Sequence, residues 1–342
     1  MAATTFGPLL GPIISGFISV VTWRWTFWVG LCVAGAAWIP LIFLPETFAP
    51  IILVKRARKL REETGNPNIF APMELENNSL KQMLTVTLTR PVRMIFFEAI
   101  VGFTCIYISL AYAIFYLFFE AYPIIFQGIY GMNTGVSGLA FLPIGVGAVI
   151  ACFLFLFYDS FLQRAKKRNA PWSKREEYRR LPLACIGGPL YVVSLFWLGW
   201  SAGRTHWIVP MLAGVPFGIG FLFIFMALLN YLTDAYEIFA ASAMAASSTC
   251  RSVFGALLPL AARPMYTRLG VDWASSLLGF LSLGMTIIPF TFIIYGDRIR
   301  ANSKFCQYLA ERKKGMLQAE ADEDPDSQDV GEKEKAAAAE EV

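Results

Sequence analysis

Trp207–Leu229 reads WIVPMLAGVPFGIGFLFIFMALL, a run without a single charged residue. A bilayer core about 30 Å thick takes roughly 20 mostly apolar residues per helical crossing, so this run predicts a transmembrane helix. Working outward, four such runs follow one another with scarcely a break between Leu181 and Tyr295, and others precede them. They predict spans near Thr5–Val21, Phe27–Leu44, Met94–Phe119, Gly135–Phe157, Leu181–Trp200, Trp207–Leu229, Ile238–Ala262 and Trp273–Tyr295. Composition agrees, because hydrophobic residues are 56% of the chain and charged residues 16%, more apolar surface than a soluble domain can hide. Short alternating segments are missing, which favours helices over a β-barrel, since in lipid each backbone amide must be bonded within its own element. The expected class is an all-α polytopic membrane protein of about eight transmembrane helices.

The basic residues set the topology. Lys55, Arg56, Arg58, Lys59, Arg61, Lys81, Arg90 and Arg93 follow the second span, and Arg164, Lys166, Lys167, Arg168, Lys174, Arg175, Arg179 and Arg180 follow the fourth. The intervening loops hold only Arg24, Arg204, Arg263 and Arg268. The positive-inside rule places the two basic loops and both termini in the cytosol. Four segments result: residues 1–50 with two helices, a basic loop over 51–93, six helices over 94–297, and a tail over 298–342 that is acidic and disordered from about 318. Within the first loop, Ile51-Ile52-Leu53 followed by the basic run from Lys55 to Arg61 suits a helix lying along an anionic leaflet. A solvated basic stretch that merely fixes orientation is the other reading.

Enzymatic chemistry has little foothold. The cysteines stand alone without ligand spacing, the only histidine is His206, and no GxxxxGK[ST] phosphate loop occurs. No cofactor, metal site or nucleic-acid partner is expected. Asn77-Asn78-Ser79 fits the glycosylation pattern but falls in a loop assigned to the cytosol.

Polar and conformationally special residues inside the membrane remain. Arg251 stands near the middle of Ile238–Ala262, where a lone charge must face a cavity or a partner; it is either a transport-site residue or a structural arginine locking two helices. Glu98 lies about a turn inside its span, with a carboxylate able to reach the headgroups. Glu120, Asp234 and Glu237 stand at span ends, where solvation is cheap. Gly7-X-X-X-Gly11-Pro12 and Gly214-X-X-X-Gly218-X-Gly220 with Pro216 offer small faces for close packing and prolines for bending, features suited to a protein that rocks between two states.

The segment from Gly7 through Gly11, Pro12 and Ser15 to Gly16 resembles the end of the antiporter signature in the fifth span of major facilitator drug:proton antiporters, with Ser15 in place of a usual glycine. Trp23-Arg24-Trp25-Thr26-Phe27-Trp28, Leu44-Pro45-Glu46-Thr47-Phe48-Ala49-Pro50 and Leu60 to Gly65 follow as in the fungal twelve-span multidrug and polyamine antiporters. Phe118 to Pro123, Gly138 to Gly145, Tyr231 to Tyr236, Arg251-Ser252, Leu269 to Leu278 and Tyr295 to Arg300 continue the likeness in order. The resemblance implies a partial major facilitator fold matching spans five to twelve and lacking the first four. It also implies export of drugs or polyamines against protons, in the plasma membrane first and the vacuolar membrane second. In that frame Arg251, Glu98, Glu120, Asp234 and Glu237 are the candidates for the cargo and proton path. Asp159 with Arg164, together with Glu46, are candidates for gating, and Gly7, Gly11, Pro12 and Gly16 for helix packing. The alternative function is a membrane remnant or interaction partner that transports nothing.

Overall fold

A computed structural model describes residues 2–75, 80–168, 177–303, 305–308 and 311. The Asn77-Asn78-Ser79 pattern, the Lys174 and Arg175 part of the second basic loop and the acidic tail lie outside the described residues. Among the described residues all regular structure is helical: α1 Ala2–Ile18, α2 Trp23–Ile42, α3 Ala49–Thr64, α4 Pro72–Leu75, α5 Leu80–Phe97, α6 Ala99–Tyr122, α7 Thr134–Leu139, α8 Leu142–Lys167, α9 Glu177–Ser201, α10 Ile208–Leu212, α11 Gly214–Tyr236, α12 Ala240–Leu260 and α13 Ala262–Asn302. Six continuous helical stretches are long and apolar enough to cross a membrane, and Phe6–Ile18 is a shorter apolar helix. One of the six, Ile208–Leu260, contains two of the expected spans. It folds back at Glu237, whose φ of 36° and ψ of −97° no helix can accommodate, so Phe225 of α11 and Arg251 of α12 stand side by side. This is an integral membrane protein, and the large apolar side chains left exposed, such as Phe153 and Phe157, suit a lipid surround.

Several expected boundaries move. The span expected from Met94 is broken at Glu98, which adopts extended backbone (φ −110°, ψ 108°) between α5 and α6. At its far end α6 runs on through a π-helical turn, Pro123–Ile129, ten residues past the expected limit of Phe119. The last helix also breaks, at Gly270 with φ 74° and ψ 169°, so the segment before it is separate from the crossing after it.

Close backbone approach organises the bundle. A methyl group on Gly218 would lie 2.2 Å from Ile144 O, and one on Gly147 would lie 2.2 Å from Val215 O, so α8 and α11 cross with backbone against backbone. On its other side α11 meets α9, where a methyl on Gly220 would lie 2.6 Å from Gly187 O. The Gly218-X-Gly220 pair thus serves two neighbours at once. In α1 the glycines divide: Gly16 abuts Thr134 O, and Pro12 O faces Gly138 of α7, while Gly7 and Gly11 face open space. Gly7 and Gly11 each precede a proline, where a side chain would crowd the pyrrolidine ring. The buried core takes Leu9 from α1 and nothing from α2, which has no buried residue.

The first basic loop folds on itself. Gly65, at φ 65°, ends α3 and donates its N–H to Arg61 O. Glu74 then clasps the helix, accepting from Arg61 Nη2 at 2.7 Å and from the Ala71 N–H at 3.1 Å. The Ala71 amide and then the Arg61 guanidinium hold the Glu74 carboxyl below its ordinary value of 4.5. Only Ala57 of α3 is buried, and apart from the half-buried Pro50, Val54 and Arg61 both the apolar and the basic residues of that helix are exposed.

Gly218→Ala is expected to destabilise the bundle by about 1–3 kcal/mol or more through overpacking. Gly35→Ala in α2, where a methyl meets nothing within 4 Å, should shift stability by less than about 1 kcal/mol; denaturation of the purified protein in micelles compares them. A second outcome concerns pH. Because the Glu74 carboxyl is lowered on folding, its stabilising effect is complete above 4.5 and fades as pH falls through the lowered value. The protection of α3 amides, measured as exchange relative to the intrinsic rate at each pH, should therefore fall below that window, and Glu74→Gln should remove that fall.

Candidate functional site

The sequence-predicted residues separate into one interior cavity, one charged cluster and several isolated positions. The cavity has a volume of ≈ 340 Å³ and lies among α1, α6, α11 and α12. Arg251 forms part of its wall, with Tyr112, Phe115, Tyr116, Phe221 and Phe225. Local spacing explains the array: Tyr112 and Tyr116 on α6, like Phe221 and Phe225 on α11, are four residues apart and share a helix face. The Phe115 and Phe221 rings stack at 4.9 Å, and the Tyr112 hydroxyl donates to that of Tyr116 at 3.0 Å.

Arg251 sits between two of these rings. Its guanidinium carbon is 5.0 Å from the Tyr112 centroid and 4.9 Å from the Phe225 centroid, within cation–π range. Nη2 donates to Ser248 Oγ at 3.1 Å, one turn back on α12, and Nε is buried without a hydrogen-bond partner. Among the described residues no carboxylate lies within ion-pair distance of it. Gly255, one turn on, gives the Tyr112 ring its place: a methyl there would lie 3.0 Å from the ring. Small buried residues Ala243, Ala246 and Ser247 line the same helix.

The charged cluster gathers at the end of the bundle that carries the basic loops. Glu98 is 4% exposed and accepts from the Tyr236 hydroxyl at 3.0 Å. The expectation that its carboxylate reaches the headgroups is corrected, because the break between α5 and α6 turns it inward against the end of α11. Asp234, two residues before the end of α11, accepts from Arg180 Nε at 3.1 Å. Glu177, at 2% exposed, pairs with Arg300 of α13, and Gly296 makes room for its side chain. This cluster links α6, α9, α11 and α13.

The remaining candidates stand apart. Glu120 is exposed and 4.0 Å from Arg263 at the opposite end. Glu237 is exposed at the sharp turn between α11 and α12. Asp159 accepts from Gln163 on its own helix at 2.8 Å, Arg164 is exposed, and Glu46 accepts from the Phe48 N–H at 2.9 Å. The aromatic faces around Arg251, the Tyr236 hydroxyl and the Glu177–Arg300 pair were missed by sequence reasoning. Paired aromatics four residues apart on two neighbouring spans were the available signal for the first; nothing local marks the other two.

Loss of Glu177 takes from the Arg300 guanidinium, only 19% exposed, the carboxylate it pairs with. Glu177→Ala is expected to destabilise by roughly 3 kcal/mol, as breaking a buried pair does. Glu120→Ala should cost under about 1 kcal/mol, as for an exposed pair; midpoints of denaturation in micelles measure both.

Comparison with known proteins agrees with this architecture. The family model described as Major Facilitator Superfamily matches residues 1–259. "Efflux pump FUB11" of Gibberella fujikuroi is 43% identical over 90% of this chain and 54% of its own length. "Ascochitine biosynthesis cluster MFS transporter" of Didymella fabae is 41% identical over 90% of the chain and 60% of its own length. "Major facilitator superfamily multidrug transporter FLU1" of Candida albicans is 37% identical over 89% of the chain and 50% of its own length. The chain thus spans about half to three-fifths of the length of these relatives. No solved structure matches it.

Proposed function

Because the chain belongs to the major facilitator superfamily, we propose that it serves proton-coupled export of small organic molecules, with the cavity at Arg251 as its cargo site. The observation that carries this reading is a half-open, drug-sized aromatic cavity among the helices whose wall includes an arginine with no carboxylate partner among the described residues. Of the two cargo classes expected from the sequence, that charge favours drugs over polyamines. Glu98, held between helix ends by Tyr236, is the proton-carrying candidate, since it is a buried carboxylate at a backbone break that a rocking motion can open. Asp234 and Arg180 are then contacts of one state, made when this end of the bundle is closed. The basic loops face the cytosol, and α3 lies along the inner leaflet of the plasma membrane.

In cells stripped of their own pumps, the chain should lower the accumulation of an aromatic drug, and the effect should grow with the outside proton concentration. Glu98→Gln keeps an acceptor for Tyr236 and should remove that pH dependence while leaving membrane abundance unchanged. A variant that keeps the dependence moves proton coupling to another residue. Thiol labelling of Asn66→Cys and Thr205→Cys should find the first only after permeabilisation and the second in intact cells. The second reading, a membrane protein that transports nothing and binds a partner, is favoured by α2, whose apolar surface is bare on every side. Normal membrane insertion with no effect on any cargo would select it.

A further inference from the structure

We propose that the Arg251 cavity takes flat organic anions, an aromatic carboxylate being the simplest, and rejects polyamines. The inference rests on the reading of this cavity as the cargo site and names the chemical class that fits it. Arg251 is the only charged residue on the wall among the described residues, and a guanidinium stays charged at any usable pH. Its hydrogen-bonding capacity is only partly spent. Nη2 donates to a neutral serine hydroxyl and the buried Nε donates to nothing, whereas guanidinium donors in a low-dielectric setting are best met by the two oxygens of a carboxylate.

The rings decide the rest. Aromatic walls attract cations through their faces, which would ordinarily suit an amine. Here the two faces beside the charge, those of Tyr112 and Phe225, are occupied by Arg251 itself. An incoming ammonium group would meet a fixed positive charge and no carboxylate. Farther along the wall, Phe115 and Phe221 stack nearly parallel, their planes 15° apart, and Phe221 continues to Phe225 at 5.2 Å. A planar ring system packs against such a row, and ≈ 340 Å³ accommodates one or two fused rings with a short substituent. The geometry therefore reads an anion at one end and an aromatic body at the other.

Titration calorimetry on the chain in lipid nanodiscs at neutral pH tests this with shape-matched probes: 2-naphthoate, 2-naphthamide and 2-naphthylmethylammonium, with spermidine added. The acid should bind at least about tenfold more tightly than the amide, and both amines more weakly than the amide. Arg251→Gln should bring acid and amide to within about twofold, with Arg251→Lys between the two because it keeps the charge but loses the planar fork. Equal binding of acid and amide by the unaltered chain, tighter binding of either amine, or an acid preference that survives Arg251→Gln would each overturn the assignment. The first two outcomes need no variant to fold. Binding is read without a gradient, so it separates from transport. A chain that selects the acid yet exports nothing sinks the transport reading and supports the cargo class; one that exports spermidine but not the acid sinks the cargo class alone.

Discussion

The contact on which the structure depends is the backbone crossing of α11 with α8 and α9. In lipid the helices gain little from burying apolar side chains against one another, because hydrocarbon solvates those side chains as well as protein does. Close packing has to supply the attraction, and it needs small residues at the crossing. Gly147 and Gly218 let α8 and α11 touch, and Gly187 and Gly220 do the same for α9 and α11. With both faces of α11 fixed in this way, its third face presents Phe221 and Phe225 toward α6, and the aromatic wall exists because the glycine contacts hold it there.

Charge is distributed on the same logic. At the basic-loop end the buried Glu98 and Glu177 and the half-buried Asp234 each have a donor: Glu98 has Tyr236, Asp234 has Arg180, and Glu177 has Arg300. Those contacts tie four helices by their ends without placing an unpaired charge at depth, where its cost rises steeply. Arg251 departs from the pattern. Two ring faces and one serine hydroxyl stabilise it in part, since cation–π contacts supply roughly 0.5–2 kcal/mol each while removing a cation from water costs several. On the reading proposed above, a negative charge in the cavity would complete that partial compensation.

Much of this was legible in the sequence, for physical reasons that differ by element. Span existence follows from length and apolar content, so the run Leu181–Trp200 falls within α9, and Trp207–Leu229 covers α10 and most of α11. The glycines of α11 carry a readable packing signal, whereas the similar spacing of Gly7 and Gly11 reflects the prolines that follow them. The break at Glu98 was not legible, because hydropathy stays high through Phe96 and Phe97 and the hydroxyl that Glu98 meets there, that of Tyr236, comes from a helix far along the chain. Arg251 stood out as a charge in an apolar run. Its partners did not, since cation–π pairing joins α6, α11 and α12 across separations that no local spacing records.

The first two helices show where packing within this chain stops. α1 contributes Leu9 to the core and Pro8 to the cavity wall, so it belongs to the site as well as to the bundle. Gly16, Gly135 and Gly138 hold it against α7, and through α7 it is tied to the turn after α6 by the bond from Gln127 Nε2 to Ser137 Oγ at 2.7 Å. α1 also rests on α8, where a methyl on Gly145 would lie 3.6 Å from Phe6 and 3.7 Å from Leu9. The side of the cavity that carries Pro8 is thus held by side-chain packing on α8 and by glycines on α7, whereas the aromatic wall follows from the backbone crossings of α11 with α8 and α9.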